Sequence, residues 1–299
     1  MFTFSTWGMS GTIATADPDA EPFARERLAH WLEEFDGTVN RFISTSELSR
    51  RNRGEWTDVA MSSTFDMVFS AATYASQITD GLCDPTILPA LEALGYDRDY
   101  DELARDGSRG GATPSPAAGV AAIQRGPEGL LTLPPGVRLD FGATAKAILC
   151  DILVSELAPS GGVLVEVGGD VAVHGEGPTG PFVIGLATSL TITGKEPRIT
   201  LSGGGVATSS RSTRVWRSGD DTVNHIIDPR SGECVHGSLA VATVAAPNCV
   251  TANAFATAAL VWDDMAAYHI AQAGHAARLV HEDGRVEFVG GWDRSEVAA

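Results

Sequence analysis

The chain has 299 residues, 43% of them hydrophobic and 20% charged, so it can bury a large core and is not a disordered sequence. A formal net charge of −17 argues against nucleic acid or an anionic membrane surface as a partner, because such faces collect Lys and Arg. Four scattered cysteines form no Cys-x-x-Cys pair, no stretch nears the ~20 apolar residues of a membrane span, and the N-terminus lacks a basic leader; the expected setting is cytoplasmic, without a membrane anchor.

Residues 2–15 alternate like a first strand, and a helix follows with Phe23, Leu28, Trp31, Leu32 and Phe35 at helical spacing. "TSELSRRN" (45–52) reads as a polar loop holding Ser46 and Glu47, before a second helix over about 62–79. "TDGLCDPTILPALEALGY" predicts a Gly/Pro turn and a short helix, and 101–118 is the most loop-like segment, suited to a mobile flap. From 119 to 206 short strands and glycine turns predominate, broken by one helix at about 143–157 with Ile148, Leu149, Ile152, Leu153 and Leu157 facing inward. A strand at 238–246, helices at about 251–262 and 264–275, and a hairpin turning at Asp283-Gly284 complete the chain. Strands and helices in this order predict an α+β fold.

Several segments gather reactive side chains, and each has two readings. In "DTVNHIIDPRSG" (221–232), His225 sits where a strand gives way to a turn, either packed in the core or doing chemistry. Lys146 lies in the first turn of its helix, where the dipole disfavours a cation by about 0.3–1 kcal/mol. It is either solvated or shares an anion with the free N–H groups. Asn253 and Thr257, four apart, share one helix face; they reach one hard cation or polar ligand, or Thr257 bonds back to a carbonyl. The Gly168-Gly169 pair before Asp170 permits close backbone approach or a bulge, and glycines likewise precede Thr208 and Ser209. No P-loop, dinucleotide fingerprint or Gly-x-Ser-x-Gly elbow is present.

In their order, six segments resemble the ApbE-type FAD:protein FMN transferase family. "FISTSELSRRN" is similar to its serine-glutamate-leucine loop, "DGLCDPTILPAL" to its Gly-x-x-Asp-x-Thr segment, and "LDFGATAKAILCDIL" to its Asp-x-Gly-x-x-Ala-Lys-Gly helix start. "VEVGGDVAVHG" resembles its Gly-Gly-Asp element, "GVATSS" with "NHIIDPRSG" its Ala-Thr-Ser and Ser-His-Ile-Ile-Asp-Pro pair, and "TANAFATAAL" its Ala-Asp-Ala-Leu-Ala-Thr-Ala helix. The resemblance implies a single large ApbE-like (T-fold-like) domain over 1–299, with mixed antiparallel sheets flanked by helices.

It also implies an activity: cleavage of the FAD diphosphate with magnesium, and attachment of FMN through a phosphoester to a threonine or serine of an acceptor flavoprotein. By position, Lys146 would lie near the diphosphate. Glu47, Asn52, Gly168, Gly169, Asp170, Thr208 and Ser209 would form the flavin nucleotide pocket. His225 would be the base for the acceptor hydroxyl, with Asp228 close behind, and the Ala143 carbonyl, Asn253 and Thr257 would hold Mg2+. The family's usual Asp is Asn253 here, which removes one negative charge from a hard-cation site and predicts weaker magnesium binding. Its Gly after the lysine is Ala147 and its Ser before the histidine is Asn224. Two other activities stay open: an FAD- or nucleotide-binding carrier that has lost transfer, and a magnesium-dependent FAD pyrophosphatase.

Overall fold

The computed structural model describes residues 1–103, 113–186 and 196–292. In chain order the strands and helices are β1 (Phe2–Thr6), β2 (Met9–Thr15), α1 (Glu21–Thr38), α2 (Glu47–Asn52), α3 (Ser63–Ile78) and α4 (Leu88–Ala93). Next come β3 (Gln124–Arg125), β4 (Leu131–Thr132), α5 (Ala145–Leu157), β5 (Val163–Val167), β6 (Asp170–His174), β7 (Phe182–Gly185), β8 (Arg198–Leu201) and β9 (Gly203–Ser210). The chain ends with β10 (Val215–Ser218), β11 (Asp221–Asn224), β12 (Leu239–Ala246), α6 (Cys249–Trp262), α7 (Ala266–Gln272), β13 (Ala276–His281) and β14 (Val286–Val289). These residues divide into two compact units, one comprising 1–30, 146–213 and 236–299, the other 31–145 and 214–235.

The first unit is built on an eight-stranded sheet in the order β1-β2-β5-β6-β9-β12-β13-β14. Every neighbouring pair in it is antiparallel. Helix α6 packs across β9 and β12. Its run of Ala252, Ala254, Ala256, Ala258 and Ala259, all fully buried, brings the helix backbone close to the sheet. Gly205 on β9 completes that approach, because a Cβ there would come within 2.4 Å of the Cys249 nitrogen. The β7–β8 hairpin adds Phe182, Ile184 and Ile199 to a core shared with Leu164, Val171, Val206 and Trp292.

The second unit carries α2, α3, α4 and the small hairpins β3–β4 and β10–β11. Phe65, Phe69 and Phe141 pack ring against ring at one core, with Leu48 and Leu139 fully buried. A second core joins Leu91, Leu94, Tyr96, Trp216, Val223 and Ile227, and the Trp216 indole N–H donates to the Leu94 carbonyl at 2.8 Å.

Mixed antiparallel sheets with flanking helices are what the resemblance implies, but three local expectations change. The strand read over 2–15 is a hairpin, β1 pairing with β2. A two-residue turn at Trp7 and Gly8, both at positive φ, preserves the alternation on each side and so hides itself. The polar loop at 45–52 is the helix α2: the Ser46 hydroxyl accepts the Ser49 N–H at 3.1 Å and caps it. On α5 it is Ala147 and Cys150 that are fully buried with Leu149, Leu153 and Leu157, while Ile148 and Ile152 are half-buried. Of the flap expected at 101–118, residues 104–112 lie outside the described residues; beyond them, Ala117 N–H donates to the Pro229 carbonyl at 2.8 Å. Among the described residues no helix is long and apolar enough to cross a membrane.

Candidate active site

In the first unit Lys146 and Asn253 converge on Asp170. β5 turns into β6 through Gly168 and Gly169, both at positive φ, which is the two-residue hairpin turn rather than a bulge. A side chain at Gly168 would also have to displace Met9, since a Cβ would stand 2.5 Å from its sulfur. The turn delivers Asp170 fully buried at the start of β6. Its Oδ2 accepts from Lys146 Nζ at 2.5 Å and its Oδ1 from Asn253 Nδ2 at 3.0 Å. A carboxylate only accepts, so the Asn253 amide must present its NH2 to Asp170. Its oxygen is thereby left for a ligand.

The solvated reading of Lys146 falls away: its side chain is only 16% exposed and paired with Asp170. One of its three N–H donors is spent there, and the unfavourable dipole position is offset by that carboxylate. Thr257 does not bond back along its own helix, because its hydroxyl meets the Ser209 hydroxyl at 3.2 Å. Thr208 pairs with Thr243, hydroxyl to hydroxyl, at 3.0 Å across β9 and β12. Beneath the turn, burial pushes the Glu166 carboxyl above its ordinary range, although the Gly169 N–H donates to it at 2.9 Å.

In the second unit Glu47 and Asn52 bracket α2. Glu47 Oε1 accepts from Arg51 Nε at 2.8 Å, from Arg51 Nη2 at 2.6 Å and from the Ser62 N–H at 3.2 Å. Asn52 pairs with the Leu139 backbone in both directions, at 2.9 and 2.7 Å. Ala143 lies in the tight turn before α5, where Thr144 and Ala145 N–H groups both donate to the Phe141 carbonyl. His225 is half-buried just past β11. Asn224 holds the segment around it: its Oδ1 accepts the Ile226 N–H at 2.9 Å and its NH2 donates to the Val235 carbonyl at 3.0 Å. Asp228 is engaged by Arg230 through Nη2 at 2.7 Å and the backbone N–H at 2.9 Å. Burial raises the Asp228 carboxyl, but the Arg230 bonds outweigh it and hold the group below its ordinary range, hence ionised near neutrality.

Two features escaped the sequence. Arg41 and Asp140 form a buried ion pair at 2.6 Å, their side chains 8% and 10% exposed. The Arg41 guanidinium lies over the Phe42 and Tyr96 rings, and its Nη2 is buried without a hydrogen-bond partner. A buried guanidinium donor left unpaired is costly unless a ligand oxygen meets it. Asp140 opens the quoted Asp-x-Gly motif, and Arg41 stands one residue before the quoted "FISTSELSRRN", so both were one step from notice. Asp84 is the other: it accepts from the Ser76 hydroxyl, Thr86 and the Val120 N–H, bracing 119–120. Its Asp-x-Thr spacing is the available signal.

The family model described as the ApbE family matches residues 7–279. The chain is 25% identical over 264 residues to the FAD:protein FMN transferase of Haemophilus influenzae, covering 84% of this chain and 76% of that one. It is 27% identical over 257 residues to the enzyme of the same name from Chlamydia trachomatis, covering 81% and 76%. Its fold is similar to that of the ApbE protein from Thermotoga maritima, with a TM-score of 0.79 at 21% identity over 96% of both chains. The flavinyl transferase ApbE of Pseudomonas stutzeri gives 0.77 at 22% identity, covering 96% of this chain and 92% of that one. The chain belongs to the ApbE family.

Proposed function

We propose that the protein is an FAD:protein FMN transferase, joining FMN through a phosphoester to a threonine or serine of an acceptor flavoprotein and releasing AMP. What carries this reading is the family match over 7–279 together with a lysine anchored on a buried carboxylate and keeping donors to spare. Lys146 binds diphosphate oxygens with those donors, and Asp170 fixes its direction. His225 takes the proton of the acceptor hydroxyl, which is a weak nucleophile until a base does so. The hydroxyl oxygen forms its bond to the phosphorus of the FMN half, the diphosphate P–O bond breaks, and the electron pair leaves with AMP.

Asn253 and Thr257 present neutral oxygens one helical turn apart, which fit a Mg2+ that takes its other ligands from phosphate and water. Magnesium bound there would neutralise diphosphate charge. The Asp170 carboxylate is the poorer ligand, because its oxygens already accept from the Lys146 cation, which repels a metal, and from the Asn253 amide. That amide in place of a carboxylate favours a second reading, a nucleotide-binding relative in which transfer is lost. Mass spectrometry of a threonine-bearing acceptor, incubated with protein, FAD and magnesium, decides between them. An FMN adduct is expected; unmodified acceptor beside bound FAD selects the carrier, and AMP release without any adduct selects the pyrophosphatase.

A further inference from the structure

Asp170 gathers side chains from two separate helices, Lys146 near the start of α5 and Asn253 in the second turn of α6. Neither contact alone fixes how the helices meet, because a lysine stem is long and flexible. The α5 residue that reaches across is Asp151. Its Oδ1 accepts the Cys249 N–H at 2.9 Å and its Oδ2 the Val250 N–H at 3.0 Å. These are the first two residues of α6, whose N–H groups have no partner inside their own helix. A carboxylate from one helix therefore closes the N-terminus of the other, where the helix dipole favours negative charge. The helix does not need it merely to start, since Asn248 Oδ1 already accepts the Thr251 N–H at 2.8 Å as a local cap.

We propose that Asp151 is a positioning residue for the diphosphate-binding group: it seats the start of α6 against α5 so that Asn253 and Lys146 meet Asp170 in one arrangement. This rests on the reading that Lys146 and Asn253 face FAD. Asp151→Asn keeps one acceptor oxygen but turns an NH2 toward the second N–H, so one of the two bonds is lost.

The test is the FAD dissociation constant of the unmodified full-length protein, Asp151→Asn, Asn253→Ala and the double variant, with Asn248→Ala as control. Asp151→Asn should weaken FAD about fivefold and Asn253→Ala about tenfold, and the double variant about tenfold rather than fiftyfold, because both act through one arrangement. Asn248→Ala should lower the melting temperature while changing FAD affinity by less than about twofold. An unchanged FAD affinity in Asp151→Asn, or a double variant near fiftyfold, overturns the inference and leaves the proposed function standing. Should Asp151→Asn not fold, amide exchange at Cys249 and Val250 in the unmodified protein decides: slowing on FAD saturation supports the coupling, and no change overturns it. Failure of the unmodified protein to bind FAD overturns the proposed function and this inference with it.

Discussion

Each unit holds a buried acid–base pair, Glu47–Arg51 within one of the quoted segments and Lys146–Asp170 across two, and they are finished differently. Arg51 has five N–H donors and all are spent: two bonds to Glu47 and one each to the carbonyls of Trp56, Val59 and Ala60. The pair ties α2 to the loop after it and has nothing left over. Lys146 spends one bond on Asp170 and keeps the rest, with its side chain partly open. Arg41 is intermediate, bonded to Asp140 but with Nη2 unsatisfied. Burial of an ion pair therefore says little about function by itself. The number of donors remaining separates a brace from a ligand-binding group.

Substitutions can break or sharpen that contrast. The largest effect is expected outside both pairs: His225→Ala should lower the flavinylation rate by about 100-fold or more while FAD affinity stays within about twofold, read by acceptor mass and FAD fluorescence. Joint loss of both would make the histidine structural. Lys146→Met comes next, stranding a fully buried carboxylate at a cost of about 3–5 kcal/mol in unfolding titrations and weakening FAD. Arg51→Lys cannot satisfy the same acceptors, so about 1–3 kcal/mol of stability should be lost with FAD affinity of the folded protein unaltered. Asn253→Asp should lower the magnesium concentration needed for half-maximal activity. Without metal it should also lower the melting temperature, because two carboxylates then face each other.

The smallest effect is one of pH. Burial raises the Glu166 carboxyl in the folded state, so its contribution to stability is present only in acid and is lost as pH rises through its folded value. At neutral pH the ionised group is a cost. Glu166→Gln, which keeps an acceptor for the Gly169 N–H, should therefore be slightly more stable than the unmodified protein at neutral pH. That margin should shrink in acid below about pH 4, the ordinary carboxylate range; thermal melts at several pH values check both.

Much of this was legible in the chain. The periodic helices α3, α5 and α6 and the final hairpin turn fall within two residues of expectation. Helix α2 was not legible, because a six-residue segment with Leu48 as its one apolar residue carries no stripe from which to read a period. The Trp7-Gly8 turn lacks the usual Asn-Gly signal. Sheet order was out of reach, since β6 pairs with β9 and β9 with β12 across long connections. For the site, motif order named Lys146, Asp170 and Asn253. Their meeting was invisible, because Asn253 and Asp170 stand 83 residues apart.

The contrast between the two pairs is tested most directly by titrating FAD into Lys146→Met and Arg51→Lys side by side. The account predicts that Lys146→Met loses about tenfold or more in affinity, as expected for one charge-assisted contact to phosphate, while Arg51→Lys binds like the unmodified protein. Unchanged affinity in Lys146→Met, with the loss appearing in Arg51→Lys, would contradict it.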